Sequence, residues 1–112
     1  MKKIEAIIRP EKLEEVRNAL EAVNYAGLMI TEIEGHGKQK GITQQWRGKK
    51  YKVELISKIK IEIVAHDKDA EKIMDAIAKT AKTGEIGDGK IFIYPVENAM
   101  RIRTGEKGDI AL

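Results

Sequence analysis

The chain has 112 residues, a formal net charge of +3 and no cysteine. That length suits one compact domain able to bury a core without staples, and the missing cysteines exclude disulfides, thiolate catalysis and cysteine-ligated metals. The opening MKKIEAIIRP starts as a signal peptide does, but Glu5 and Arg9 interrupt its apolar run, and no stretch approaches the ~18 apolar residues of a membrane span, so a soluble cytoplasmic protein is expected.

Residues 2–9 alternate in part, with Ile4, Ala6 and Ile8 on one side, and read as a strand. Pro10 suits a first helical position or the residue before it. Leu13, Val16, Leu20 and Val23 then recur at helical spacing over residues 11–23. Asn24 and Gly27 bracket a turn. Residues 28–35 read as a second strand, with Met29, Thr31 and Ile33 facing one way and Leu28, Ile30 and Glu32 the other. Residues 58–65 alternate most cleanly, setting Ile59, Ile61 and Ile63 against Lys58, Lys60 and Glu62, the mark of a half-buried strand. Asp67 suits an N-cap, and Ala70, Ile73, Met74, Ile77 and Ala81 form one helical stripe. Gly84 sits where a glycine helix stop belongs. Ile91 to Tyr94 form a strand that Pro95 ends, residues 99–103 add a short strand, and the tail over about 104–112 is expected to be loose.

The order is β-α-β-β-α-β, which predicts a single ferredoxin-like α+β domain over residues 1–112 with an antiparallel sheet. Helices cover one sheet face. The chain has little left to cover the other, and self-association is the simplest cover.

Two segments exceed what that fold needs. HGKQKGITQQWRGKKYKVELIS, residues 36–57, is longer than a hairpin connection and carries Trp46 and Tyr51. Lys38, Lys40, Arg47, Lys49, Lys50, Lys52, Lys58 and Lys60 crowd the same region. It reads either as a solvated, flexible hairpin of a Lys/Glu-rich protein or as an arm that docks a partner. TGEIGDGKIFIY, residues 83–94, contains G-x-x-x-x-G-K at Gly84, Gly89 and Lys90. A P-loop would put Ser or Thr next, where Ile91 stands, and would join a strand to a helix; here a helix precedes and a strand follows. A Walker-type site is therefore not expected. One glycine suffices to stop a helix, so Gly87, Gly89 and Lys90 leave an anion-binding loop as the second reading.

The blocks GHGKQKG, WRGKKY, KIKIEIV, TAKTGEIGDGKIFI and RIRTGE follow one another in this order, and the whole chain resembles the nitrogen regulatory P-II signalling proteins. The resemblance implies a homotrimer of ferredoxin-like domains with a flexible T-loop, here about 37–55. It implies ATP or ADP in clefts between subunits, and 2-oxoglutarate bound only with Mg-ATP. The matching nucleotide positions are Ile7, Gly35, Gly37, Lys38, Gln39, Val64, Gly87, Asp88, Gly89 and Lys90, with Arg101 and Arg103 reaching in from the neighbouring subunit. Arg101 and Arg103 alternate along the expected short strand, so they share a face, and two forked guanidiniums suit a polyphosphate. Gln39 matches the Mg2+ ligand. Gln39, Lys40, Gly41, Lys58 and Gly87 match the 2-oxoglutarate positions, with Lys58 on the distal carboxylate. Arg47 matches the tip residue that plugs an ammonium transporter, and Tyr51 the tyrosine that a uridylyltransferase modifies in many bacterial members. The implied role is regulatory rather than enzymatic, with weak ATP hydrolysis at most. The implied targets are an ammonium transporter, which would recruit the protein to the membrane, or enzymes of nitrogen assimilation.

Some positions depart from the commoner family pattern. Lys38 stands where Arg is frequent, Met29 where Thr is frequent, Trp46 where Tyr is frequent, and Lys49 where some members carry a phosphorylated serine. Lys38 keeps the charge and loses the fork; Met29 removes a hydroxyl near the base. A nucleotide-only regulator without 2-oxoglutarate sensing is thus the nearest alternative. RNA binding on the same strand order would need stacking aromatics on both central strands. Phe92 and Tyr94 supply one strand, residues 58–65 supply none, and the RNP1 pattern is missing, so no nucleic-acid partner is expected. A small transferase on this fold would need a nucleophile or base near the arginine pair. His36 and His66, the only histidines, read as surface residues at strand ends.

Overall fold

The computed structural model describes the backbone of residues 1–25, 27–38, 44–46, 49–51 and 53–112, and the side chains of these outside 36–55. The elements are β1 (Lys2–Ile8), a 3-10 turn (Pro10–Lys12), α1 (Leu13–Leu20), β2 (Met29–Lys38), β3 (Gln44–Trp46), β4 (Lys49–Tyr51), β5 (Val53–Ala65), α2 (Asp67–Ala81) and β6 (Lys90–Pro95). Four strands form one antiparallel sheet in the order β2-β5-β1-β6, and β3 pairs with β4 separately. This is the ferredoxin-like α+β arrangement that the element order predicts.

Period-2 patterning puts one face of the sheet under the helices. Ile4, Ala6 and Ile8 of β1 and Ile59, Ile61 and Ile63 of β5 are buried there against Val16 and Leu20 of α1 and Ala70, Ile73, Ile77 and Ala81 of α2. Each fully buried isoleucine contributes roughly 1.5–3 kcal/mol relative to exposure. The opposite face is bare in the sense that, among the described residues, no helix covers it. It carries Ile7 of β1, Val64 of β5, and Phe92 and Tyr94 of β6, the last two 46% and 42% exposed. Polar side chains lie among them: the Tyr94 hydroxyl donates to Glu5 at 2.7 Å, Lys60 pairs with Glu5 and Glu62, and the Lys3 ammonium lies over the Tyr94 ring.

Several boundaries differ from the sequence reading. The β2–β5 ladder runs on from Met29↔Glu62 to Lys38↔Val53, so both strands continue into the segment read as loop from residue 36 to 57. Alternation fails as a guide there because Gly35, Gly37 and the charged residues around them leave no run of alternating apolar positions to read. α1 ends at Leu20 rather than Val23, which packs on the core from outside the helix. Asp67 is the first helical residue and not the cap; His66 holds the cap position, and its side chain makes no capping bond. Gly84 does not stop α2: the helix ends at Ala81, and Lys82 is already extended. Residues 99–103 form no strand. Arg101 to Thr104 make a turn closed by the isolated bridge Met100↔Lys107. Nor is the tail loose. The Arg101 N–H donates to Glu106 O at 2.9 Å, the Gly108 N–H to Ala99 O at 3.0 Å, and Gly108–Ala111 form a 3-10 turn. Among the described residues, no helix is long and apolar enough to cross a membrane.

Candidate functional site

The glycine loop between α2 and β6 is built around one carboxylate. Asp88 accepts from the Thr83 N–H and the Gly84 N–H, each at 2.8 Å, from the Thr83 hydroxyl, and from Arg9 Nε at 3.1 Å. These donors hold its carboxyl far below the usual carboxylate range, the Thr83 hydroxyl foremost. Gly84, Gly87 and Gly89 all have positive φ, at 91°, 102° and 103°. Gly89 also lies hard against β1: a Cβ there would fall 1.7 Å from the Ile7 carbonyl oxygen. Glycine is required at 89 by contact as well as by backbone conformation.

Two cations reach this loop from the sheet. Arg9, one residue past β1, donates through Nη2 to Ile86 O at 2.9 Å. Lys58, on β5, donates to Gly87 O. Desolvation and then the nearby Arg9 charge push the Lys58 ammonium's pKa below 10.5. Lys90 opens β6 opposite Ile7 and is exposed. Ile7, Lys58, Gly87, Asp88, Gly89 and Lys90 are thus brought together. Arg9 belongs to the same cluster and escaped the sequence reading, where it serves only as a charge that interrupts an apolar run.

Other expected positions lie elsewhere. Val64 is six residues along β5 from Lys58, about 20 Å at strand spacing. It pairs with Lys3 on the bare face. Gly35 of β2 pairs with Ile56 of β5, while Gly37 and Lys38 pair with Glu54 and Val53 at the far end of that ladder. Tyr51 ends β4 opposite Gln44. Gln39, Lys40, Gly41 and Arg47 lie outside the described residues. Arg101 and Arg103 sit in the turn, not on a strand, so strand alternation does not align them. Arg101 pairs with Glu106 at 3.0 Å and donates to Ile110 O at 3.1 Å. It lines a recess with Ala65, His66 and Asp69, at the end of the sheet remote from the glycine loop. Arg103 is exposed and has no ion pair among the described residues. One chain therefore cannot put both arginines on the loop.

The arrangement presents backbone donors and cations around a glycine-rich turn, which suits an anionic ligand. A family model for nitrogen regulatory protein P-II matches residues 1–106. The chain is 55% identical to nitrogen regulatory protein P-II 2 of Methanothermobacter thermautotrophicus, over all of this chain and 97% of that protein. It is 54% and 53% identical to the nitrogen regulatory proteins P-II of Azospirillum brasilense and Microchaete diplosiphon, over the full length of both partners in each comparison. A glycine loop clamped from β1 and β5, on a ferredoxin-like sheet matched end to end by these relatives, places the chain in the nitrogen regulatory protein P-II family.

Proposed function

We propose that this P-II protein transduces nitrogen, carbon and energy status by binding ATP or ADP and, with Mg-ATP, 2-oxoglutarate. The observation that carries the reading is the glycine loop. It combines a backbone contact that only glycine permits at 89, the exposed cation Lys90, and N–H groups at Gly87 and Asp88 that meet no acceptor among the described residues. Such donors fit phosphate oxygens. The neighbouring Lys58 suits a carboxylate of 2-oxoglutarate. Among the described residues, no group of three or more His, Cys, Asp or Glu is placed to hold a metal. Mg2+ is proposed to take its oxygens from phosphates, 2-oxoglutarate and Gln39, in keeping with its habit of sharing substrate oxygens. Because Gln39 follows β2 directly, ligation there would bias the segment that carries Arg47 and Tyr51. That segment is the proposed docking arm for an ammonium transporter or a nitrogen-assimilation enzyme, and Tyr51 the proposed uridylylation site.

Calorimetry tests the reading. ATP should bind, and 2-oxoglutarate should bind only when ATP and Mg2+ are present. ATP binding without any 2-oxoglutarate binding would make this a nucleotide-only regulator; no ATP binding would end the proposal.

The same reading includes a homotrimer. The bare sheet face supports it, and so does the separation of Arg101 and Arg103 from the loop, which a second copy would bridge. Phe92 lies opposite Glu5 across the β1–β6 ladder. Phe92→Glu would bury two facing carboxylates in such an interface. Light scattering should show trimer for the parent protein and monomer for the variant, and the variant should lose most ATP affinity.

A further inference from the structure

Two consecutive carbonyls in the glycine loop are each held by a cation: Ile86 O by Arg9 Nη2 and Gly87 O by Lys58 Nζ. The peptide bonds are trans. In a trans peptide unit the N–H points opposite to the C=O. Ile86 O shares its unit with the Gly87 N–H, and Gly87 O shares the next with the Asp88 N–H. Pinning both carbonyls toward Arg9 and Lys58 therefore turns both N–H groups to the other side of the loop. Neither N–H has an acceptor among the described residues.

Arg9 makes a second contact, one that Lys58 does not make among the described residues. Its Nε holds Asp88 Oδ1 at 3.1 Å, and the same carboxylate gathers Thr83 and Gly84. The planar fork thus spans both ends of the loop, from Ile86 to the knot at the end of α2. We propose that Arg9 is a positioning residue for the anion-binding loop: it fixes the direction in which the Gly87 and Asp88 N–H groups point. Asp88 then serves the ligand through its N–H, while its carboxylate faces inward to Arg9 and Thr83. A lysine at position 9 would keep the charge but not the fork, and so would hold one acceptor instead of two.

This inference rests on the nucleotide reading above, and the experiment separates the two. Calorimetry is run with ATP and, by competition, with adenosine, which lacks phosphates. The proteins are the parent, Arg9→Ala, Arg9→Lys, Asp88→Asn and the Arg9→Ala/Asp88→Asn double variant. Arg9→Ala should weaken ATP roughly tenfold or more and leave adenosine unchanged. Arg9→Lys should fall between, and the double variant should lose less than the sum of the two single losses, because both changes remove the shared Arg9–Asp88 contact. A general weakening of the fold would lower both ligands together. Equal losses for ATP and adenosine, or unchanged ATP binding, overturn the role of Arg9 while the nucleotide reading stands. A parent protein that binds no ATP ends both.

Discussion

Gly89→Ala should abolish ATP binding, whereas Gly84→Ala in the same loop should leave it nearly intact. Both glycines have positive φ, so both substitutions carry left-handed strain of roughly 1–2 kcal/mol. They differ in surroundings. Nothing lies within 4 Å of a Cβ built at Gly84. A Cβ at Gly89 falls 1.7 Å from Ile7 O and 2.8 Å from the Ile7 carbonyl carbon. Those are backbone atoms, so no rotamer change relieves the clash. Ile7 cannot retreat either, since it is paired with Lys60 on one side and Lys90 on the other in the middle of the sheet. The loop has to move, and the Gly87 and Asp88 donors move with it. ATP affinity should drop at least about a hundredfold, or about 2.7 kcal/mol. Calorimetry on both variants, with circular dichroism to confirm the sheet, reads the difference. Normal ATP binding by Gly89→Ala would mean that phosphates do not sit on this loop.

What the sequence made legible follows from which forces act where. Ile59, Ile61 and Ile63 against Lys58, Lys60 and Glu62 announce a strand with one buried face, and the helical stripe of Ile73 and Ile77 announces its cover. Burial imposes those patterns, so they can be read back. The pairing beyond Gly35 and Ser57 leaves no such mark in the sequence, where glycine and charge replace the isoleucine alternation. Gly84 shows the limit of single-residue signals. It looks like a helix stop, yet α2 ends earlier, and Asp88 satisfies the Thr83 and Gly84 N–H groups from five and four residues downstream. No local pattern foretells that a loop aspartate will fold back this way. Arg9 was missed for a related reason: its partners, Ile86 and Asp88, are 77 and 79 residues distant. The tail misled through composition. GEKGDIAL is polar and glycine-rich, and its order comes from bonds to Ala99 and Arg101.

Lys58 is the position at which a change should separate the two ligands of the proposed sensor. Lys58→Ala should weaken 2-oxoglutarate binding by tenfold to a hundredfold, about 1.5–3 kcal/mol for a charge-assisted bond. ATP should lose less, because Arg9 still holds Ile86 O and Asp88. The pH dependence gives a sharper test. The folded Lys58 pKa is lowered from 10.5 by desolvation and by the Arg9 charge. The fold therefore disfavours the ammonium, and the resulting penalty is present below the folded pKa and relieved as pH rises toward 10.5. A carboxylate of 2-oxoglutarate reverses that preference and draws the pKa back up. Binding should then take up protons at alkaline pH, so the measured enthalpy should vary with the ionisation heat of the buffer. Affinity should fall as pH rises through the lowered value, before an ordinary lysine would lose its charge. Lys58→Arg keeps its charge throughout this range, and whatever affinity it retains should show no such fall and no buffer-dependent enthalpy. A parent protein whose 2-oxoglutarate affinity and enthalpy ignore pH and buffer would remove Lys58 from the carboxylate and leave it as a clamp on Gly87 alone.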